Sequence, residues 1–189
     1  LIDTVRGTNK TLSSNTTSQE STDSSFINSF NNNGVTIGPS INTNYNNDSY
    51  TSWSFRKAPG FFDIVTYSGN NTAGHQIAHN LGSVPGMIIV KKTSGAENWE
   101  IYHRGADATA PQNYGLKFNN NPRSGSLWNN TAPTATHFTL SSYSNVNGGS
   151  DTYVAYIFAG GESPAATARS VDFDGTGDYL SLPNHSDLD

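Results

Sequence analysis

The sequence predicts an all-β protein made of tandem antiparallel sandwich units. Three observations predict it. Strand-like segments bounded by turn clusters recur about every eight to twelve residues, the texture of a sandwich or barrel. No window keeps apolar residues at i, i+3, i+4 and i+7 for three turns, so helices have no support. The chain also repeats itself: Asp48-Ser49-Tyr50-Thr51-Ser52-Trp53-Ser54-Phe55 returns as Asp151-Thr152-Tyr153-Val154-Ala155-Tyr156-Ile157-Phe158. Composition agrees. Asn, Ser, Thr and Gly supply 85 of 189 residues, charged residues only 13%, and aromatic residues 11%. Short polar side chains suit sheet faces and turns, and the aromatics separate the chain from disordered sequences.

Each element follows from its local pattern. Phe62 to Tyr67 reads as a strand that stops at the turn cluster Ser68-Gly69-Asn70-Asn71. His75 to His79 alternates and breaks at Asn80-Leu81-Gly82. Pro85 to Lys92 has a continuous apolar centre, the mark of a strand buried on both faces. Trp99 to His103 alternates again, which predicts a half-buried Trp99. Tyr153 to Phe158 is a late central strand, and its copy-one counterpart around Trp53 is expected to match it. Ser170 to Pro183, with Gly175 and Gly177 at its middle, reads as a hairpin.

The repeat sets the domain organisation. Val5-Arg6-Gly7 answers His103-Arg104-Gly105, an offset of 98; Val35-Thr36-Ile37 answers Phe138-Thr139-Leu140, an offset of 103. A repeat this long is a whole domain. Residues 1–58 are the back half of one unit, 59–161 a complete unit, 162–169 a small-residue linker, and 170–189 a further hairpin. Because Leu1 falls inside a copy, the chain is expected to be an excerpt of a longer polypeptide.

Charge and composition argue against several partners. A net charge of −5 and a pI near 5.4 argue against nucleic acid, which calls for a basic surface. No apolar run approaches the eighteen residues of a membrane span. The absence of Cys rules out disulfides and thiolate metal sites. Six Asn-x-Ser/Thr sequons are what chance gives in a chain this rich in Asn, Ser and Thr.

His75 and His79 share a strand face about 13 Å apart at 3.3 Å per residue, too far for one ion. His103 has Val5 as its counterpart, so the repeat does not need an imidazole there. No nucleophile elbow or zinc-protease motif accompanies it. Catalytic, cofactor and metal residues are therefore expected to be none. Asn145 to Asp151 offers oxygens but one carboxylate, and reads as a turn rather than a calcium loop. Asp172, Asp174 and Asp178 are denser, and would need further residues to complete a site. Arg6 and Arg104 recur, as do Asp48 and Asp151, which predicts a register-fixing Arg104–Asp151 pair. Trp53 and Tyr156 occupy equivalent positions and are expected to be core or interface aromatics. Trp128, beside Asn129 and Asn130, is the candidate exposed aromatic for recognition.

The ordered landmarks Gly60-Phe61, Ile64-Val65-Thr66-Tyr67, His79-Asn80-Leu81-Gly82, Pro85 to Lys91, Tyr102-His103-Arg104-Gly105, Trp128-Asn129-Asn130-Thr131 and Tyr153 to Ala159 resemble a β-rich repeat domain. That domain occurs in tandem in tail-fibre-like virion proteins of marine bacteriophages. Phe173-Asp174-Gly175-Thr176-Gly177-Asp178-Tyr179-Leu180 is similar to the opening hairpin of a concanavalin A-like (laminin G-like) jelly roll.

The resemblance implies a structural or adhesive module of a tail fibre or related virion appendage, not an enzyme. Such a module would extend and present a host-surface domain, with a cell-surface glycan as ligand. It would be a homo-oligomer, most simply a trimer, in contact with other virion proteins, because exposed strand edges must be covered. The alternative is a bacterial extracellular carbohydrate-binding or glycan-degrading protein with the repeats as spacers. A glycosidase would need a carboxylate pair in an aromatic groove, and the complete unit has only Glu97, Glu100, Asp107 and Asp151 after Asp63.

Overall fold

The last strand of the described chain lies inside the main sheet, between two earlier strands. A computed structural model describes residues 1–161 apart from Asn119; the linker, the predicted 170–183 hairpin and its three aspartates lie outside the described residues. The strands are β1 (Lys10–Thr11), β2 (Ser21–Thr22), β3 (Ile27–Asn31), β4 (Gly34–Ile37), β5 (Phe62–Ser68), β6 (His75–Ala78), β7 (Pro85–Lys92), β8 (Glu100–His103), β9 (Tyr114–Lys117), β10 (Asn120–Ser124), β11 (His137–Leu140) and β12 (Thr152–Ala159). Two single-turn helices, α1 (Ile41–Asn44) and α2 (Ser144–Asn147), complete the set with one 3-10 turn at Pro111–Asn113. The fold is all-β, and its strand pairs are antiparallel.

Six strands form the main sheet in the order β10-β9-β8-β7-β12-β5. β12 inserts between β5 and β7, with Tyr153 opposite Tyr67 and Lys92, and Tyr156 opposite Ile64 and Ile89. Alternation along β12 then splits the core. Tyr153, Ala155 and Ile157 join Ile88, Val90 and Tyr102 on one face; Val154 and Tyr156 join Ile64, Ile89 and Ile101 on the other. Both faces are buried, as the unbroken apolar run in β7 predicts. Each fully buried large apolar side chain contributes about 1.5–3 kcal/mol, so the two layers dominate stability.

The first face is covered by the β6–β11 ladder and by Leu81, Leu127, Trp128 and Val146. The second is covered by the amino-terminal segment. Leu12 enters the cluster with Trp99 and Tyr156. The Trp99 indole donates to Ser13 O at 3.1 Å, Glu20 N donates to Thr93 O at 3.2 Å, and Glu97 N donates to Thr17 O at 2.8 Å. Trp99 is thereby fully buried rather than half-buried, because residues 12–17 close over it.

Residues 24–57 differ. β3 and β4 pair only with each other, and Val35, Ile37, Ile41, Tyr45 and Tyr50 are exposed. The expected strand around Trp53 does not form, and Trp53 is 82% exposed, whereas its counterpart Tyr156 is 5% exposed. Trp53 is therefore not a core aromatic of the described residues, unlike Tyr156. β12 is flanked by two strands; among the described residues no strand pairs with residues 49–56, and Phe55 packs on Phe61, Phe62 and Phe158.

Candidate functional site

The sequence repeat has a counterpart in bonding geometry, in the loop that precedes each copy of the Asp-Ser/Thr-Tyr segment. In the second copy, Tyr153 Oη donates to Ser144 O at 2.6 Å and accepts from Gly148 N at 2.8 Å. In the first, Tyr50 Oη donates to Ile41 O and Tyr45 N donates to Tyr50 Oη, both at 3.0 Å. Asn147 Nδ2 donates to Ser141 O at 2.7 Å, and Asn44 Nδ2 donates to Gly38 O at 3.2 Å. The turn closes through Asp151 N to Gly148 O and through Asp48 N to Tyr45 O, with Ser150 at φ 70° and Asn47 at φ 69°. All these positions differ by 103. A loop rich in Asn, Ser and Gly folds this way because it holds one helical turn and one left-handed residue around a phenol that bonds both ends of the turn.

Context separates the two loops. Tyr153 is buried, and burial pushes its phenol up to about 12. It stacks on Tyr67 at 5.1 Å. The end of β5 clamps the loop: Gly69 N donates to Asp151 O at 2.8 Å, Asn70 N to Asn147 Oδ1 at 2.9 Å, and Asn71 N to Asn147 O at 2.8 Å. The approach is so close that a Cβ on Gly69 would lie 2.1 Å from Gly148 O. His75 also bonds Asn147 Oδ1, at 2.8 Å. The oxygens of the Asn145–Asp151 loop therefore serve the fold as a turn. The first loop is exposed, and Asn44 Oδ1 accepts no hydrogen bond among the described residues.

Two sequence-predicted site residues take other roles. Trp128 is 2% exposed, donates from its indole to Tyr114 O at 3.1 Å, and meets Tyr102 edge-on at 5.9 Å. It is a core anchor and not an exposed recognition aromatic; its polar neighbours Asn129 and Asn130 take left-handed turn conformations, and the bond to Tyr114 O holds the indole in the core. Arg104 and Asp151 do not pair. Asp151 bonds Lys92 Nζ at 2.7 Å and Ser94 Oγ at 2.9 Å. Arg104 lies beside Gly86 and Gly160 at the far end of β12. Eight extended residues separate the two ends, about 25 Å. The antiparallel register, which sets Tyr153 opposite Lys92, chooses the lysine. That salt bridge and the serine bond hold the Asp151 carboxyl below its ordinary range.

His79 and His103 each accept from a neighbouring backbone N–H. His79 is buried and accepts from Leu81 N through Nδ1 at 3.3 Å; burial lowers its pKa despite nearby Asp63. His103 is exposed and accepts from Gly105 N through Nδ1 at 3.1 Å.

The main ionic cluster lies elsewhere. Arg6, whose side chain is 4% exposed, bonds Asp3 at 2.7 Å, Glu20 at 3.0 Å and Tyr156 Oη at 3.0 Å, and Tyr156 donates to Asp3 at 2.9 Å. It pins residues 1–23 to the second face beside an open groove of about 530 Å³ that Thr66, Ser68, Thr93 and Thr152 help to line. Lys91, fully buried, donates to Thr17 O at 3.0 Å and Glu97 O at 2.7 Å. Asp63 accepts from Lys57 Nζ and Asn80 N, both at 2.7 Å. Arg6 was visible in the repeat, but its partners were not, because Asp3 and Glu20 have no counterparts in the second copy. Asn44 and Asn147 did carry a signal, since both recur at offset 103.

These groups are committed to backbone and ion-pair bonds, so their chemistry is that of docking one segment onto another. The sequence profile of one family, described as a domain of unknown function (DUF7483), matches residues 1–165. The chain belongs to the DUF7483 family. The DUF7483 match runs through both tyrosine-centred loops and through the described sheet. No curated protein and no solved structure matches the chain.

Proposed function

We propose that this chain is a structural and adhesive module of an extended assembly, a bacteriophage tail fibre or related virion appendage located outside the cell. The observation that carries the reading is the duplicated hydrogen-bonded loop, buried around Tyr153 and exposed around Tyr50. A duplicated unit with one buried and one open face suits propagation along an array. A polar, weakly charged composition with a net charge of −5 suits a long-lived soluble surface. In this reading the module forms a homotrimer, contacts other virion proteins, and presents a glycan-binding domain of which residues 170–189 are the start.

Mass photometry and electron microscopy of the full protein test the proposal. Elongated trimers attached to particles support it. A globular monomer that cleaves polysaccharide would sink it in favour of a bacterial glycan-degrading protein.

A further inference from the structure

We infer that residues 38–56 are a preformed docking site for a β5-type segment, and that its occupant is a segment with the pattern of residues 60–71 supplied by another repeat unit. The inference rests on the array reading and identifies the contact that would join its units.

The second copy shows what covers such a loop. β12 is flanked by β5 and β7, and the turn Gly69-Asn70-Asn71 at the end of β5 delivers three backbone N–H groups to Asp151 O, Asn147 Oδ1 and Asn147 O. The first copy already holds the receiving geometry, with its helical turn, left-handed residue, tyrosine clamp and asparagine bond all in place. What it lacks among the described residues is the flanking strand. The corresponding acceptors are Asp48 O, Asn44 Oδ1 and Asn44 O.

The side chains agree. Val35, Ile37, Tyr50 and Trp53 are exposed, and their counterparts Phe138, Leu140, Tyr153 and Tyr156 are buried. An aromatic, alternating segment with no paired edge partner is the template that β-strand addition uses: backbone bonds give affinity, and alternate side chains give register. The repeat names the complement, because β5 covers the second copy with Ile64 and Tyr67 opposite Tyr156 and Tyr153. The β5 segment of a second 189-residue chain is already paired to its own β12, so the occupant comes from a further unit.

The test duplicates residues 59–98 ahead of Leu1, which supplies the first copy with a β5-type segment of its own. Trp53 emission is expected to move to shorter wavelength, and amides of residues 50–55 to exchange ~100-fold more slowly than in the 189-residue chain. Should the extended chain be insoluble, a peptide of residues 60–71 is titrated into the 189-residue chain, with the same Trp53 shift expected and with weaker binding to Asn44→Ala. Trp53 remaining fully exposed in whichever of these soluble samples is measured overturns the inference. So does protection of residues 50–55 that rises with concentration of the 189-residue chain alone, which assigns the surface to a second copy. Microscopy keeps the two readings apart: fibres with an exposed Trp53 refute the docking site alone, and a globular monomer refutes the array.

Discussion

Tyr50 and Tyr153 hold their loops by the same pair of hydrogen bonds, one set at the surface and one in the core. Tyr153 bonds Ser144 O at 2.6 Å and Gly148 N at 2.8 Å; Tyr50 bonds Ile41 O and Tyr45 N at 3.0 Å. Burial decides what each pair is worth. Tyr153→Phe leaves a buried N–H and a partly buried carbonyl without their partner, at about 1–3 kcal/mol. Tyr50→Phe lets water replace the phenol and costs under ~1 kcal/mol. Urea titration of both variants checks the difference.

The three tryptophans separate in the same manner. Trp128→Ala removes a buried anchor and is expected to cost about 3–5 kcal/mol. Trp53→Ala is expected to change stability by no more than ~0.5 kcal/mol. Acrylamide should quench Trp53 freely while Trp99 and Trp128 stay protected, which the emission spectra of the single variants resolve.

Arg6 is expected to outweigh any exposed charge. Arg6→Met leaves Asp3 and Tyr156 packed on the sheet without their cation, at about 3–5 kcal/mol. Arg6→Lys loses the forked geometry that reaches Asp3, Glu20 and Tyr156 together, and falls between the two. Differential scanning calorimetry measures both, and hydrogen exchange should show residues 1–23 loosened first.

A double-mutant cycle decides the partner of Asp151. Coupling to Lys92 is expected at about 0.5–1 kcal/mol, the range of a partly exposed pair. Coupling between Asp151 and Arg104 is expected to be zero within error, as for well-separated sites. Coupling to Arg104 of the same size as that to Lys92 would contradict the observed register.

Acid should destabilise the protein in two stages. Burial lowers the His79 pKa, so the folded state binds fewer protons than the unfolded state below about pH 6.5, and stability falls as pH drops through that value. At Asp63, burial opposes ionisation, but the bonds from Lys57, Asn80 N and Ile64 N outweigh it and lower the pKa; at Asp151 the Lys92 bond does so. Depressed carboxylates stabilise above their unfolded values and lose that contribution below about pH 4. His79→Asn, which keeps an acceptor for Leu81 N, should remove the first stage and leave the second in melting curves taken across pH.

Much of the main sheet was legible, as was β6 in the ladder that covers it. Period-two alternation, the continuous apolar run of β7 and turn clusters placed β5, β6, β7, β8 and β12, because a strand buried on one or both faces writes its pattern into its own residues. β9 and β10 were not, since Tyr114 to Ser124 is mostly Gly, Asn and charged residues and pairs through its backbone. The amino-terminal cover was hidden as well: Leu12, Ser13 and Thr17 gain their roles only where Trp99 and Lys91 meet them.

By itself the sequence determined the fold class, the central strands and the repeat, including the offset that aligns Tyr50 with Tyr153. It did so because periodicity and duplication are local properties of a chain. Only the tertiary structure decided which charge Asp151 meets, that Trp128 faces inward, and that equivalent loops lie one in the core and one in solvent. Those outcomes depend on register and on which segment covers which face, and residues far apart in sequence set both.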